Sequence, residues 1–172
     1  EINTLMTDAG RYMGDADYTN AFESYRIVLE KFPMFAEAAY SMGLVKNREK
    51  ILNEAVQYFK KALEINPYHE KARKALDNVS KKSFNDGNRA YKRGDLDGAL
   101  EAYFKVLEFD EKFYQAHYQI GVIKAKMGDR NGAIGHYQEA LDINPNFYKG
   151  WYAMGLSKKA INNNEGALAS FE

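Results

Sequence analysis

The stretch DRNGAIGHYQEALDINP, residues 129–145, reads as one complete helix with its start and stop signals attached. Asp129 is a capping acid, Ala133, Tyr137, Ala140 and Leu141 follow at offsets of four, seven and eight from the alanine, and Pro145 closes the element. Those offsets put the four side chains on one buried stripe. Proline has no N–H and a fixed φ, so it ends one helix and admits the next. The pattern recurs as DYTNAFESYRIVLEKFP (17–33), LNEAVQYFKKALEINP (52–67) and DLDGALEAYFKVLEFDE (95–111), with a shorter copy, NEGALASFE, at 164–172.

Twelve residues before the alanine of each copy stands Ala9, Gly43, Gly87, Gly121 or Gly155. Glycine in a helix costs about 1 kcal/mol relative to alanine, so its recurrence marks positions where two helices approach closely. Gly94-Asp95 and Gly128-Asp129 supply a helix stop followed by a cap, as the junction of a helix pair requires. The chain therefore reads as a stack of short antiparallel helix pairs.

This register of small residue, alanine, aromatic, alanine and proline resembles the tetratricopeptide repeat (TPR), whose period is 34 residues. The resemblance covers repeats at 2–35, 36–69, 80–113 and 114–147 and a truncated fifth from 148. Glu111 stands where proline is expected, and Trp151 alone keeps the tryptophan of the pattern. The resemblance implies an all-α, right-handed α-α superhelix that holds other proteins and has no catalytic residue. Because the sequence opens on Glu1 and stops within a helical pattern, it reads as a segment of a longer or processed protein.

The period breaks once. Ala21 to Ala55 and Ala99 to Ala133 keep it, whereas Ala55 to Ala99 is ten residues longer. The extra residues, EKARKALDNV at about 70–79, contain no Gly or Pro, and Ala72, Ala75, Leu76 and Val79 give them a helical apolar face. Asp8 and Asp86 stand where other repeats have Met42, Ile120 and Met154, so two blocks each begin on a more polar helix. The expected division is a module at 1–79, capped by an extra helix at 70–79, and a module at 80–172. One elongated helix within a continuous stack is the alternative.

A concave groove in such a stack is lined by the first helix of each pair. Positions two, five, nine and twelve of each repeat share one face, which selects Glu37, Tyr40, Leu44 and Asn47; Lys81, Phe84, Asn88 and Tyr91; Gln115, Tyr118, Val122 and Ala125; and Lys149, Tyr152, Leu156 and Lys159. An aromatic occupies the fifth position four times. Rigid rings give large contact area at low entropic cost, which suits an extended peptide or a partner helix, although packing between neighbouring helices would also use them. The resemblance locates a clamp for a terminal carboxylate, built from Lys and Asn, at places that here read Phe84, Asn88, Gln119, Tyr152 and Leu156. One asparagine fits, which disfavours such a clamp.

Composition narrows the remaining classes. The chain is 45% apolar and 28% charged, with 24 basic and 24 acidic residues, so no global field favours nucleic acid or an anionic membrane. A local excess of Lys71, Arg73, Lys74, Lys81, Lys82, Arg89, Lys92 and Arg93 reads as a solvated helix face. The absence of cysteine removes disulfides and thiolate metal sites and leaves cytosol and periplasm both open. His69, His117 and His136 fall at unrelated repeat positions with no acid at ligand spacing, so no metal or other cofactor is expected. No phosphate loop, GxSxG elbow or dinucleotide fingerprint occurs. The sequence thus points to a non-catalytic scaffold or adaptor for a peptide or helix of another protein, with self-association into a homo-oligomer and a regulatory region of a larger enzyme as alternatives.

Overall fold

The computed structural model describes residues 1–171, which form ten α-helices and no strand. Packing divides them into two compact units, Glu1–Val79 and the residues from Ser80 onward. Among the described residues no helix is long and apolar enough to cross a membrane.

The first unit contains α1 (Ile2–Gly14), α2 (Tyr18–Lys31), α3 (Ala36–Arg48), α4 (Leu52–Ile65) and the start of α5 (Glu70–Lys92). Its core joins Ala21, Tyr25, Val28 and Leu29 of α2 to Ala38, Ala39, Met42 and Val45 of α3, with Ala9, Ala62 and Ala72 closing the sides. These are the apolar positions that recur at helical spacing, which is why one face of each helix is buried and the other wet. Residues 70–79 are not a helix of their own. They form the N-terminal part of α5, which runs unbroken for 23 residues because nothing between Glu70 and Asp86 breaks a helix. His69 caps it: the Ala72 N–H donates to His69 Nδ1 at 3.2 Å.

The second unit contains the rest of α5, α6 (Leu96–Phe109), α7 (Tyr114–Lys126), α8 (Arg130–Ile143), α9 (Tyr148–Ala160) and α10 (Asn164–Phe171). One core cluster is built on Ala99, Tyr103, Val106, Ile120 and Ile123, another on Ala133, Tyr137, Leu141 and Met154. Burying a Leu, Ile or Val side chain contributes about 1.5–3 kcal/mol, so these clusters, rather than intrinsic helix propensity, hold helices of 8 to 14 residues.

Each turn within a helix pair holds one residue in the left-handed region: Ala16, Lys50, Gly94, Gly128 and Asn162. The next residue is the cap of the second helix. Asp17, Asp95, Asp129 and Asn163 accept backbone N–H groups of Asn20, Gly98, Gly132 and Gly166 at 3.2, 2.9, 2.8 and 3.0 Å. Ile51 occupies that place before α4 and supplies no side-chain cap. Asp8 and Asp86 are half-buried, each beside an arginine one turn on, Arg11 and Arg89. The equivalent Met42, Ile120 and Met154 are almost fully buried.

Candidate partner-binding surface

The stripes selected by position run along the edges of the cores, with Tyr40, Phe84, Tyr91, Tyr118, Val122 and Ala125 packed against them. In the first unit, Tyr40 and Leu44 are half-buried and Asn47 exposed. The Tyr40 ring lies 5.2 Å from that of His69 and 5.9 Å from that of Phe59. Glu37 closes this end of the stripe. Its carboxylate accepts from His69 Nε2 and from Lys71 Nζ, each at 3.0 Å. The Lys71 ammonium is held above its ordinary range by that hydrogen bond, and the Tyr40 phenol is pushed up by burial and by Glu37. Lys71 is thereby tied to a carboxylate rather than presented as part of a basic patch, and Arg89 pairs likewise with Asp86.

In the second unit Phe84, Asn88 and Tyr91 of α5 and Gln115, Tyr118, Val122 and Ala125 of α7 are half-buried. On α9, Lys149, Tyr152, Leu156 and Lys159 are exposed. Phe84 packs on Tyr103 and Phe113 at 5.4 and 5.1 Å, and Tyr118 on Tyr137 and Phe147 at 5.8 and 5.0 Å. The fifth-position aromatics of α5 and α7 thus serve the joints between helices with one face and offer the other to solvent. Tyr152 differs. It meets the Phe171 ring at 5.8 Å yet remains 61% exposed.

Asn88 is already engaged, its side-chain oxygen accepting from the Tyr103 hydroxyl at 2.7 Å. Burial and the neighbouring Tyr91 push the Tyr103 phenol up to about 12; burial, together with Tyr118, does the same for Tyr137. Both therefore stay neutral O–H donors at physiological pH. The Lys126 ammonium sits 5.4 Å from the centre of the Tyr91 ring, an attraction available to a partner cation in the same way.

Two features were beyond the positional reading. A cavity of about 560 Å³ opens beside Tyr148, Trp151, Tyr152 and Phe171. Tyr148, 83% exposed, occupies the first repeat position, where the matching Tyr114 would have been the only signal for it. The second feature is a pairing of His117 with His136 across two helices. No group of three or more His, Asp or Glu placed to hold a metal occurs among the described residues.

Three family models match the sequence: a TPR repeat model over residues 87–128, and tetratricopeptide repeat models over 114–147 and 9–70. Over 77 residues the chain is 40% identical to DnaJ homolog subfamily C member 7 of Mus musculus and, equally, of Homo sapiens. That stretch is 44% of this chain and spans only 16% of each relative. Among solved structures, MamA aligns with a TM-score of 0.52 at 18% identity, over 95% of this chain and 90% of its own. The second TPR of Spaghetti (RPAP3), bound to the HSP90 peptide SRMEEVD, aligns at 0.54 with 17% identity, over 57% of this chain and 93% of its own. At such identities the likeness is one of fold, and it agrees with the helix-pair architecture. With repeat models matched in both units, the chain belongs to the tetratricopeptide-repeat superfamily and is an all-α solenoid of TPR helix pairs.

Proposed function

We propose that this chain is a non-catalytic protein-interaction scaffold that takes a peptide segment or helix of a partner on the face formed by the second unit's α5, α7 and α9. TPR repeats in general serve as protein-interaction modules. The observation that carries the finer reading is the row of half-buried rings on α5 and α7, Phe84, Tyr91 and Tyr118, with Phe84 and Tyr118 held in place by Phe113 and Phe147. Rings that are fixed by their neighbours and keep part of their surface in water are what an apolar anchor of a partner would cover. Tyr152 stands at the matching position of α9, and the phenol groups of Tyr91 and Tyr118 offer donors to a peptide main chain.

The reading does not include capture of a terminal carboxylate. Asn88, the one asparagine at a matching position, is held by Tyr103, and Phe84, Gln119, Tyr152 and Leu156 carry no positive charge. Peptides selected on the chain from a random library should lose binding to the Tyr118→Ala/Tyr152→Ala variant while its circular dichroism stays unchanged. Undiminished binding by that variant removes the face from consideration.

A further inference from the structure

The charges of the second unit are sorted by helix. Neither α7 nor α9 contains an Asp or Glu. In the part of α5 that belongs to this unit Asp86 is the one acid, and Arg89 pairs with it. The acids stand on the other helix of each pair: Asp97 and Glu101 on α6, and Glu139 and Asp142 on α8, are all exposed. The first unit is not sorted in this way, since α1 holds Asp8 with Arg11 and α3 holds Glu37 with Lys46.

Local helix energetics does not account for the sorting. The helix macrodipole favours acids in the first turn and cations in the last. Lys124 and Lys126 at the end of α7 follow that rule, but the first turns of α7 and α9 hold no acid. Lys149 lies in the first turn of α9, against the dipole. The N-caps of the two helices are Phe113 and Phe147, which bring no carboxylate either. The face shared by α5, α7 and α9 is thus kept clear of negative charge at some expense to the helices that build it.

The polar groups on the α5 and α7 part of that face can all donate. The Asn88 side-chain oxygen is occupied by the Tyr103 hydroxyl at 2.7 Å, which leaves the amide N–H groups of Asn88 for a ligand. The Lys126 ammonium, 5.4 Å from the centre of the Tyr91 ring, makes no ion pair with a described residue. Lys92 stands one repeat before it and is exposed. Burial raises the phenols of Tyr103, Tyr118 and Tyr137, and Tyr91 adds to each, so the four hydroxyls are grouped among these helices.

We propose that the partner segment taken on this face is acidic, with internal Asp or Glu side chains received by Lys92, Lys126, Asn88 and the tyrosine hydroxyls. The inference rests on the peptide-binding reading above and adds the chemistry of the ligand. A carboxylate only accepts hydrogen bonds, so it is the group that such a set of donors matches. Charge-assisted bonds of this kind are roughly twice as strong as neutral ones. Apolar residues beside the acid lie on the rings of Phe84 and Tyr118. Carboxylates inside the segment suffice, so no free C-terminus is needed.

Three pools of synthetic peptides, amidated at the C-terminus and sharing the same apolar residues with Glu, Gln or Lys between them, test this by fluorescence anisotropy on the full chain. The Glu pool should bind about tenfold more tightly than the Gln pool. The Lys pool should bind least, and the preference should shrink at high salt. Lys92→Gln/Lys126→Gln should lose most of the preference for Glu, whereas Lys61→Gln on α4 should keep it. Equal binding of the Glu and Gln pools, or no binding of any pool, overturns the proposal. So does a Glu preference that the double variant retains. Displacement of the Glu pool by oligouridylate as readily as by unlabelled Glu peptide overturns it too, because it marks a general polyanion surface. The two readings separate: Glu and Gln pools that bind equally and are both weakened by Tyr118→Ala/Tyr152→Ala remove the acidic preference and leave the peptide-binding face standing. A Glu preference undiminished in that variant removes the face itself. Should the lysine variant fail to fold, the ratio of Glu to Gln binding by the unaltered chain and its salt dependence decide.

Discussion

The Tyr137 ring lies against the backbone of Gly121, so closely that a Cβ at residue 121 would stand 2.5 Å from Tyr137 Cε1 and 2.7 Å from Cδ1. The joint repeats. A Cβ at Gly43 would meet Phe59 at 2.5 Å, and one at Gly87 would meet Tyr103 at 2.7 Å. Each pair brings the first helix of a repeat against an aromatic of its second, and the ring occupies the volume that a side chain would need.

Gly121→Val should therefore lower stability by about 1–3 kcal/mol through overpacking, read as a lower midpoint in urea. Gly135 on α8 is the control, since a Cβ there meets nothing within 4 Å. Gly135→Ala should raise stability by about 0.5–1 kcal/mol by helix propensity. If both substitutions move the midpoint in one direction, close packing is not what selects Gly121.

Helix α4 lacks the cap its counterparts have. Ile51→Asn should let the side chain accept the Glu54 N–H, as Asn163 accepts that of Gly166, and gain about 1 kcal/mol. Asparagine is preferable to aspartate here because Glu49 and Glu54 already share Lys46 at 3.1 and 3.4 Å. Thermal unfolding checks the gain.

Ala16 and Lys50 hold φ of 58° and 64°, where Gly94 and Gly128 serve in the equivalent turns. Glycine adopts that region without the Cβ conflict. Ala16→Gly and Lys50→Gly should each be neutral to stabilising, by up to about 1 kcal/mol, whereas glycine elsewhere on an exposed helix face destabilises. A clear loss of stability in both would show that the turns are not strained.

Tyr103 and Tyr137 ionise near 12 in the fold against an ordinary value of 10.0. Between these values the unfolded chain has released phenolic protons that the folded chain retains, so stability is complete below pH 10 and falls as pH rises toward 12. Urea midpoints across that range should decline, and the Tyr103→Phe/Tyr137→Phe variant should decline less steeply. At neutral pH, Tyr103→Phe should cost about 0.5–1.5 kcal/mol for the lost hydrogen bond to Asn88.

Much of this was legible in the residues. Alanine, aromatic and glycine at fixed offsets announced the helix pairs, because helical periodicity depends only on neighbours three and four residues apart. The same counting named the stripe of Tyr40, Phe84, Tyr118 and Tyr152 and left open whether each ring packs between helices or faces a ligand. Tyr40, Phe84 and Tyr118 meet the rings of His69, Phe113 and Phe147, and Tyr152 meets that of Phe171. Which ring a neighbouring element brings against each of them is a matter of packing, which position within a repeat does not report.

The sequence by itself determined the succession of helices, their caps and the close joints between glycine and aromatic rings, since each rests on short-range sterics and a local repeat. Tertiary structure decided the rest. That Asn88 would be taken by the Tyr103 hydroxyl, and that His117 and His136 would meet from unrelated repeat positions, follows from the rotation and approach of separate helices. Those are set by the packing of whole side chains, and no spacing along one helix encodes them.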